Sequence, residues 1–138
     1  DVKELFDQAD DKYAVMCVKH DYTPKEGIKM DGQTQTVYPR KNWSSVMLFN
    51  CGHPSNARLN MDLVNEPEIN GAYLHRFSWL PDEEIGEFSY EWNYLTDWYV
   101  DGAAKALHYT EGGPWFENYR NCKFHKEWKQ ELQDMMNE

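Results

Sequence analysis

At 138 residues the chain has room for one domain with a moderate core, and its net charge of −10 sets it against the phosphate backbone of nucleic acids. Aromatic residues make up 15%, with six Trp and nine Tyr, so the surplus is either aromatic packing or a face that stacks on flat ligands such as sugars or bases. No apolar run approaches the roughly 20 residues that cross a bilayer, so no helical membrane span is expected.

Residues 2–8 read as one or two turns of helix. The continuous apolar run at 13–18 predicts a buried strand. Residues 19–40, with Pro24, Gly27, Gly32 and Pro39, read as a long loop. A second buried strand is expected over 43–51, ending in the turn signal Asn50-Cys51-Gly52. Ser55 is a candidate cap for a helix over 56–65, stopped by Pro67. Residues 72–80 alternate weakly and predict a strand or extended segment. Pro81-Asp82-Glu83-Glu84 begins a short helical turn, and 87–99 is crowded with aromatics and carries no clear period. A third strand is expected over 103–109. From Pro114 onward the pattern is helical, with Trp128, Leu132 and Met135 on one face as a core or interface stripe. No repeat or linker divides the chain, which reads as a single α/β domain, a mixed sheet with flanking helices, over residues 1–138.

Three cysteines, Cys17, Cys51 and Cys122, form no CxxC pair and no zinc spacing. Cys17 and Cys51 lie in apolar runs and read as buried thiols. The set suits a reducing compartment, and a cytoplasmic location is expected.

The chemistry concentrates at the ends of the expected strands. His108 closes an apolar run just before Gly112-Gly113-Pro114-Trp115. It is either a hydrogen-bonded histidine at a strand end or a ligand for a divalent cation, with carboxylates to accompany it. Gly112 and Gly113 let main-chain N–H groups approach phosphate oxygens. Asn50, beside Gly52, is either a turn former or a hydrogen-bond partner for a sugar hydroxyl. Asp82 and Glu83 either complement a helix start or stabilise positive charge on a reacting sugar. Glu91-Trp92-Asn93 sets an aromatic platform between two polar groups, which suits a sugar ring.

Taken in order, Phe49-Asn50-Cys51-Gly52, Asp82-Glu83-Glu84, Glu91-Trp92-Asn93 and His108 to Trp115 resemble the motifs of the glycogenin-like retaining glycosyltransferases, over about residues 1–120. The closing motif here is one residue shorter and lacks that family's Lys, Cys51 stands for its Ser, and Glu84 for its second Asp. The resemblance implies a partial GT-A-like fold. It makes His108 a ligand for Mn²⁺, with Gly112 and Gly113 near the donor diphosphate. Asn50, Gly52, Trp92, Asn93 and Trp115 would bind substrate, and Asp82 and Glu83 would sit near the reacting sugar. The donor would be a nucleotide sugar, most often a UDP-sugar. The metal would act as a Lewis acid on its leaving group, and a glycan or other hydroxyl acceptor would take the hexose.

In that family an Asp-x-Asp pair precedes a segment similar to Asp1-Val2-Lys3-Glu4-Leu5-Phe6-Asp7. The chain is therefore expected to be the C-terminal part of the transferase domain, lacking the nucleotide-binding half and turning over little alone. An exposed sheet edge would then invite a homodimer. The competing expectation is a non-catalytic glycan- or protein-binding module derived from the same fold. A hydrolase built on Asp82 and Glu91 has no spacing to support it.

Overall fold

A computed structural model describes residues 1–23, 27–28 and 30–137. The elements run α1 (Lys3–Phe6), β1 (Val15–Cys17), β2 (Gly27–Ile28), β3 (Thr34–Gln35), β4 (Met47–Phe49), α2 (Met61–Val64), α3 (Gly71–His75), β5 (Ile85–Glu87), β6 (Tyr94–Leu95), β7 (Leu107–His108) and α4 (His125–Asn137), with 3₁₀ turns between them.

β1 is the centre of the molecule. It pairs antiparallel with β4 and parallel with β5, so that Val15 faces both Phe49 and Ile85, and Cys17 faces both Met47 and Glu87. Successive side chains leave a strand on opposite faces. Val15 and Cys17 join Ala14, Phe77, Trp79, Leu80 and Ile85 on one face. Met16 and Val18 join Leu5, Phe88 and Trp92 on the other. Burial on both faces is why the run at 13–18 is uniformly apolar rather than alternating. Gly86 in β5 lies so close to β1 that a Cβ there would run into the Tyr13 ring and the Met16 side chain. β2–β3 forms an antiparallel ladder and β6–β7 a parallel one, each of two residues per strand.

Polar groups fix the sheet's first end. Asn56 Nδ2 donates to the carbonyls of Ala14 (2.7 Å) and Asn50 (2.8 Å), and its Oδ1 accepts from Trp79 Nε1 (3.1 Å). One buried amide thus satisfies partners from three segments. Asn60 and Asn70 cap α2 and α3 by accepting from Leu63 N and Tyr73 N. Phe77, just beyond α3, holds a left-handed φ of 53° with its ring fully buried. That conformation costs a non-glycine residue about 1–2 kcal/mol, and burying a phenylalanine ring offsets it with about 1.5–3 kcal/mol.

Several expectations are corrected. The 72–80 segment opens with α3 instead of a strand, because the Asn70 cap sets the helix and the weak alternation does not override it. The 43–51 strand splits into a 3₁₀ turn, Trp43–Ser45, and β4. β4 is an edge strand, with Met47 44% and Phe49 42% exposed, instead of a buried one. The 56–65 helix divides into a 3₁₀ turn, Pro54–Arg58, and α2, and the side-chain cap of α2 is Asn60 instead of Ser55. The 19–40 loop contains β2 and β3; Pro24 lies outside the described residues. The 103–109 strand shortens to β7, and the helix expected from Pro114 starts at His125. Cys51 is exposed because it sits past the end of β4, whereas Cys17 is buried and its thiol is pushed up to about 12 by that burial. Of the α4 stripe, Trp128 packs on Trp115, but Leu132 and Met135 are exposed, so the stripe is not core.

Candidate functional site

The register of β1 sorts the sequence-derived site residues into two groups. Asn50 N bonds the carbonyl of Ala14, and Ala14 N bonds the carbonyl of Glu84. Asn50, Gly52, Asp82 and Glu83 therefore collect at the end where β1 begins. Their bonds there are those of a turn. Asn50 Oδ1 accepts from Gly52 N at 3.0 Å, while its Nδ2 reaches the carbonyls of Asp11 and Tyr13. Asp82 is 84% exposed and paired with Arg40, and Glu83 is exposed beside it.

The second group lies where β1 ends. Trp43 Nε1 donates to the carbonyl of His20 at 3.1 Å, tying the tail of β1 to the turn that leads into β4. Asn93, only 1% exposed, is the hub. Its Nδ2 donates to Ser45 Oγ (2.8 Å) and the carbonyl of Asn42 (3.3 Å), while its Oδ1 lies 3.1 Å from His108 Nδ1. A carbonyl can only accept, so Nδ2 must point at Asn42 and Oδ1 at His108. That assigns the proton to His108 Nδ1 and fixes the ring's tautomer and orientation. The parallel β6–β7 ladder brings Asn93, the residue just before β6, beside His108 of β7.

Ser45, Val46, Leu107, His108, Tyr109 and Trp115 enclose a cleft of about 350 Å³. Trp115 is half exposed and held edge-on by Tyr109, with ring centroids 5.6 Å apart. Its indole lies over Gly113, where any Cβ would overlap the ring, and Tyr119 lies over Gly112 in the same way. The Gly-Gly pair is thus explained by aromatic packing, with Gly113 serving as the bed for Trp115.

Trp92 is a correction. It is 6% exposed and sits in the core with Leu5, Met16, Val18 and Phe88, so its ring offers no surface platform. The 3₁₀ turn Tyr90–Asn93 turns Trp92 inward beneath the sheet. The aromatic platform at this end is Trp115.

Sequence reasoning missed Ser45, Asn42 and His20. Asn42 and Ser45 bracket the 3₁₀ turn that leads into β4, and His20 lies three residues past β1; polar residues close to the apolar runs are the signal that could have found them. His20 is 5% exposed, with Nδ1 2.7 Å from Tyr99 Oη. Its pKa is lowered to about 4, first by burial and then by the nearby His108, so the ring is neutral at physiological pH.

Among the described residues, no group of three or more His, Cys, Asp or Glu is placed to hold a metal ion. A Mn²⁺ site takes carboxylate oxygens beside an imidazole, so His108 and its neighbours do not by themselves compose one.

The chain is 54% identical over 140 residues to Protein CDI of Arabidopsis thaliana, an alignment that takes in 97% of this chain and 53% of that protein. The chain thus spans about half the length of the curated relative it matches. No family model matches, and no solved structure matches. The similarity to glycogenin-like glycosyltransferases drawn from four short motifs is overturned by this outcome, since the relative found is Protein CDI and no glycosyltransferase family is matched. Short motifs, three of them only three or four residues long, occur by chance more readily than their order implies, and two of the four fall at the opposite end of β1 from His108. Among the described residues, no helix is long and apolar enough to cross a membrane.

Proposed function

We propose that the cleft at the end of β1 binds a sugar ring, and that the chain contributes this site to the transfer of a hexose from a nucleotide sugar, such as a UDP-sugar, to a hydroxyl acceptor. One observation carries the reading. A half-exposed indole, Trp115, shares a cleft with the Ser45 hydroxyl and an imidazole whose tautomer is fixed by a buried amide. A sugar presents C–H groups on its ring faces and hydroxyls around its edge. The indole suits the first, and Ser45 and His108 suit the second. The parallel β1–β5 pair, flanked by antiparallel β4, supports placing this site on a partial transferase sheet of GT-A type. In such a transfer the sugar's C1–O bond to the diphosphate breaks and a C1–O bond to the acceptor forms; the nucleoside diphosphate departs with the bonding electron pair, and the acceptor's proton passes to it or to solvent. Trp115, Ser45 and His108 bind and orient the sugar in this reading.

The three free cysteines support a reducing compartment such as the cytoplasm. The half-exposed edge of β4 supports pairing with a second copy. A non-catalytic glycan- or protein-binding module is the second reading, favoured by the exposed Leu132, Met135 and Met136 of α4.

The test is calorimetric titration of the full chain with UDP-glucose, UDP and glucose, repeated with Trp115→Ala and His108→Ala. Saturable binding of a sugar-bearing ligand, weakened about tenfold or more in both variants, is expected. Absence of saturable binding, or binding that both variants retain, defeats the proposal.

A further inference from the structure

We propose that the groove between β7 and α4 is a second sugar subsite, which takes the next unit of a neutral oligosaccharide whose terminal ring lies on Trp115. This rests on the sugar-binding reading above and deepens it. The groove has a volume of about 540 Å³ and is lined by Leu107 and Tyr109, two residues that also line the Trp115 cleft. The two spaces are therefore neighbours. The aromatic surface continues between them, because Trp128 of α4 lies 5.6 Å from Trp115, centroid to centroid. Phe124 closes the far wall, its carbonyl accepting from Tyr109 Oη at 2.9 Å.

The polar edge of the groove defines the ligand class. Glu127 and Glu131 lie four residues apart, one turn along the same face of α4, and both are exposed; the groove's one lysine, Lys105, has its ammonium paired with Glu4, so the edge stays acidic. Two carboxylates accept hydrogen bonds from hydroxyls and repel phosphate, as does the net charge of −10. An aromatic wall with a carboxylate edge suits a neutral sugar unit and disfavours the diphosphate of a donor. The donor side would accordingly lie toward His108, and the acceptor glycan would run over α4.

The experiment measures affinity of the full chain for glucose and for α- and β-linked gluco-oligosaccharides of two to four units, alongside the exposed-site variant Glu131→Lys and the double variant with Glu127→Lys. Affinity about tenfold higher for two units than for one, lost in the variants while the single-sugar affinity and the circular dichroism spectrum stay unchanged, is the expected result. An affinity independent of length, or a gain with length that survives in the double variant, overturns the subsite and leaves the Trp115 cleft standing. Failure of every sugar to bind overturns both.

Discussion

The two ends of β1 are built on different terms. Where β1 begins, Phe77, Trp79, Leu80 and Ile85 close around Val15, and Asn56 ties three segments together with short hydrogen bonds. Where β1 ends, the strands are two residues long, the key indole is half exposed, and one buried amide, Asn93, aligns the imidazole. The first end holds the molecule together. The second gives up packing to leave a cleft with aimed polar groups, which is how ligand sites commonly trade stability for function.

The contrast is tested most severely by Phe77→Ala. Removing a fully buried ring is expected to cost about 3–5 kcal/mol by urea denaturation, while folded molecules keep their ligand affinity. A loss below about 1 kcal/mol would mean that this end is not the anchor. Acidification comes next. His20 titrates near 4 in the folded chain against an ordinary 6.5, so between those values only the unfolded chain takes the proton. Stability from this group is full above pH 6.5 and falls as the pH drops toward 4, by up to about 3 kcal/mol. Denaturation curves at pH 7 and 4.5 should diverge, and His20→Gln should reduce the divergence.

Asn56→Ala leaves Trp79 Nε1 without its acceptor and removes one of the two hydrogen bonds to each of the Ala14 and Asn50 carbonyls, for about 2 kcal/mol by the same denaturation assay. Trp115→Ala reverses the pattern: about 1 kcal/mol of stability but most of the sugar affinity. The smallest effect belongs to Glu83→Gln, expected within about 0.5 kcal/mol and without change in binding, because the side chain is exposed at the anchoring end. A large drop in sugar transfer in that variant would return Asp82 and Glu83 to the site and dissolve the distinction between the ends.

At the anchoring end the central strand and the turns were legible in the sequence, but the flanking segments were not. The apolar run at 13–18 became β1 because burial on both faces leaves no alternation to misread. The turn at Asn50 and the helical turn at Asp82 also stood where Gly52 and Pro81 mark them. The other end was legible only in part. His108 and Trp115 stood out, yet the residues that orient them come from segments 15 to more than 60 residues away, and spacing says nothing about such pairings. Trp92 was misread because an aromatic beside Asn looks the same whether its ring turns toward water or toward Met16. The 72–80 segment was misread because an Asn cap outweighs a weak alternation.

Lys123 ties the approach to α4 to the body of the chain. Its ammonium donates to Tyr94 Oη and to the carbonyls of Tyr99 (both 2.8 Å) and Val100 (3.1 Å), just before α4 begins. The helix that backs Trp115 is therefore moored by one removable charge and by the Tyr109 hydroxyl. Acetylation of that lysine would cut most of the mooring, releasing the Tyr94 hydroxyl of β6 but leaving β1, β4 and β5 untouched. Trp115 would lose its backing and residues 119–125 would become the first place a protease enters, an outcome that limited proteolysis of Lys123→Gln would register as early cleavage there.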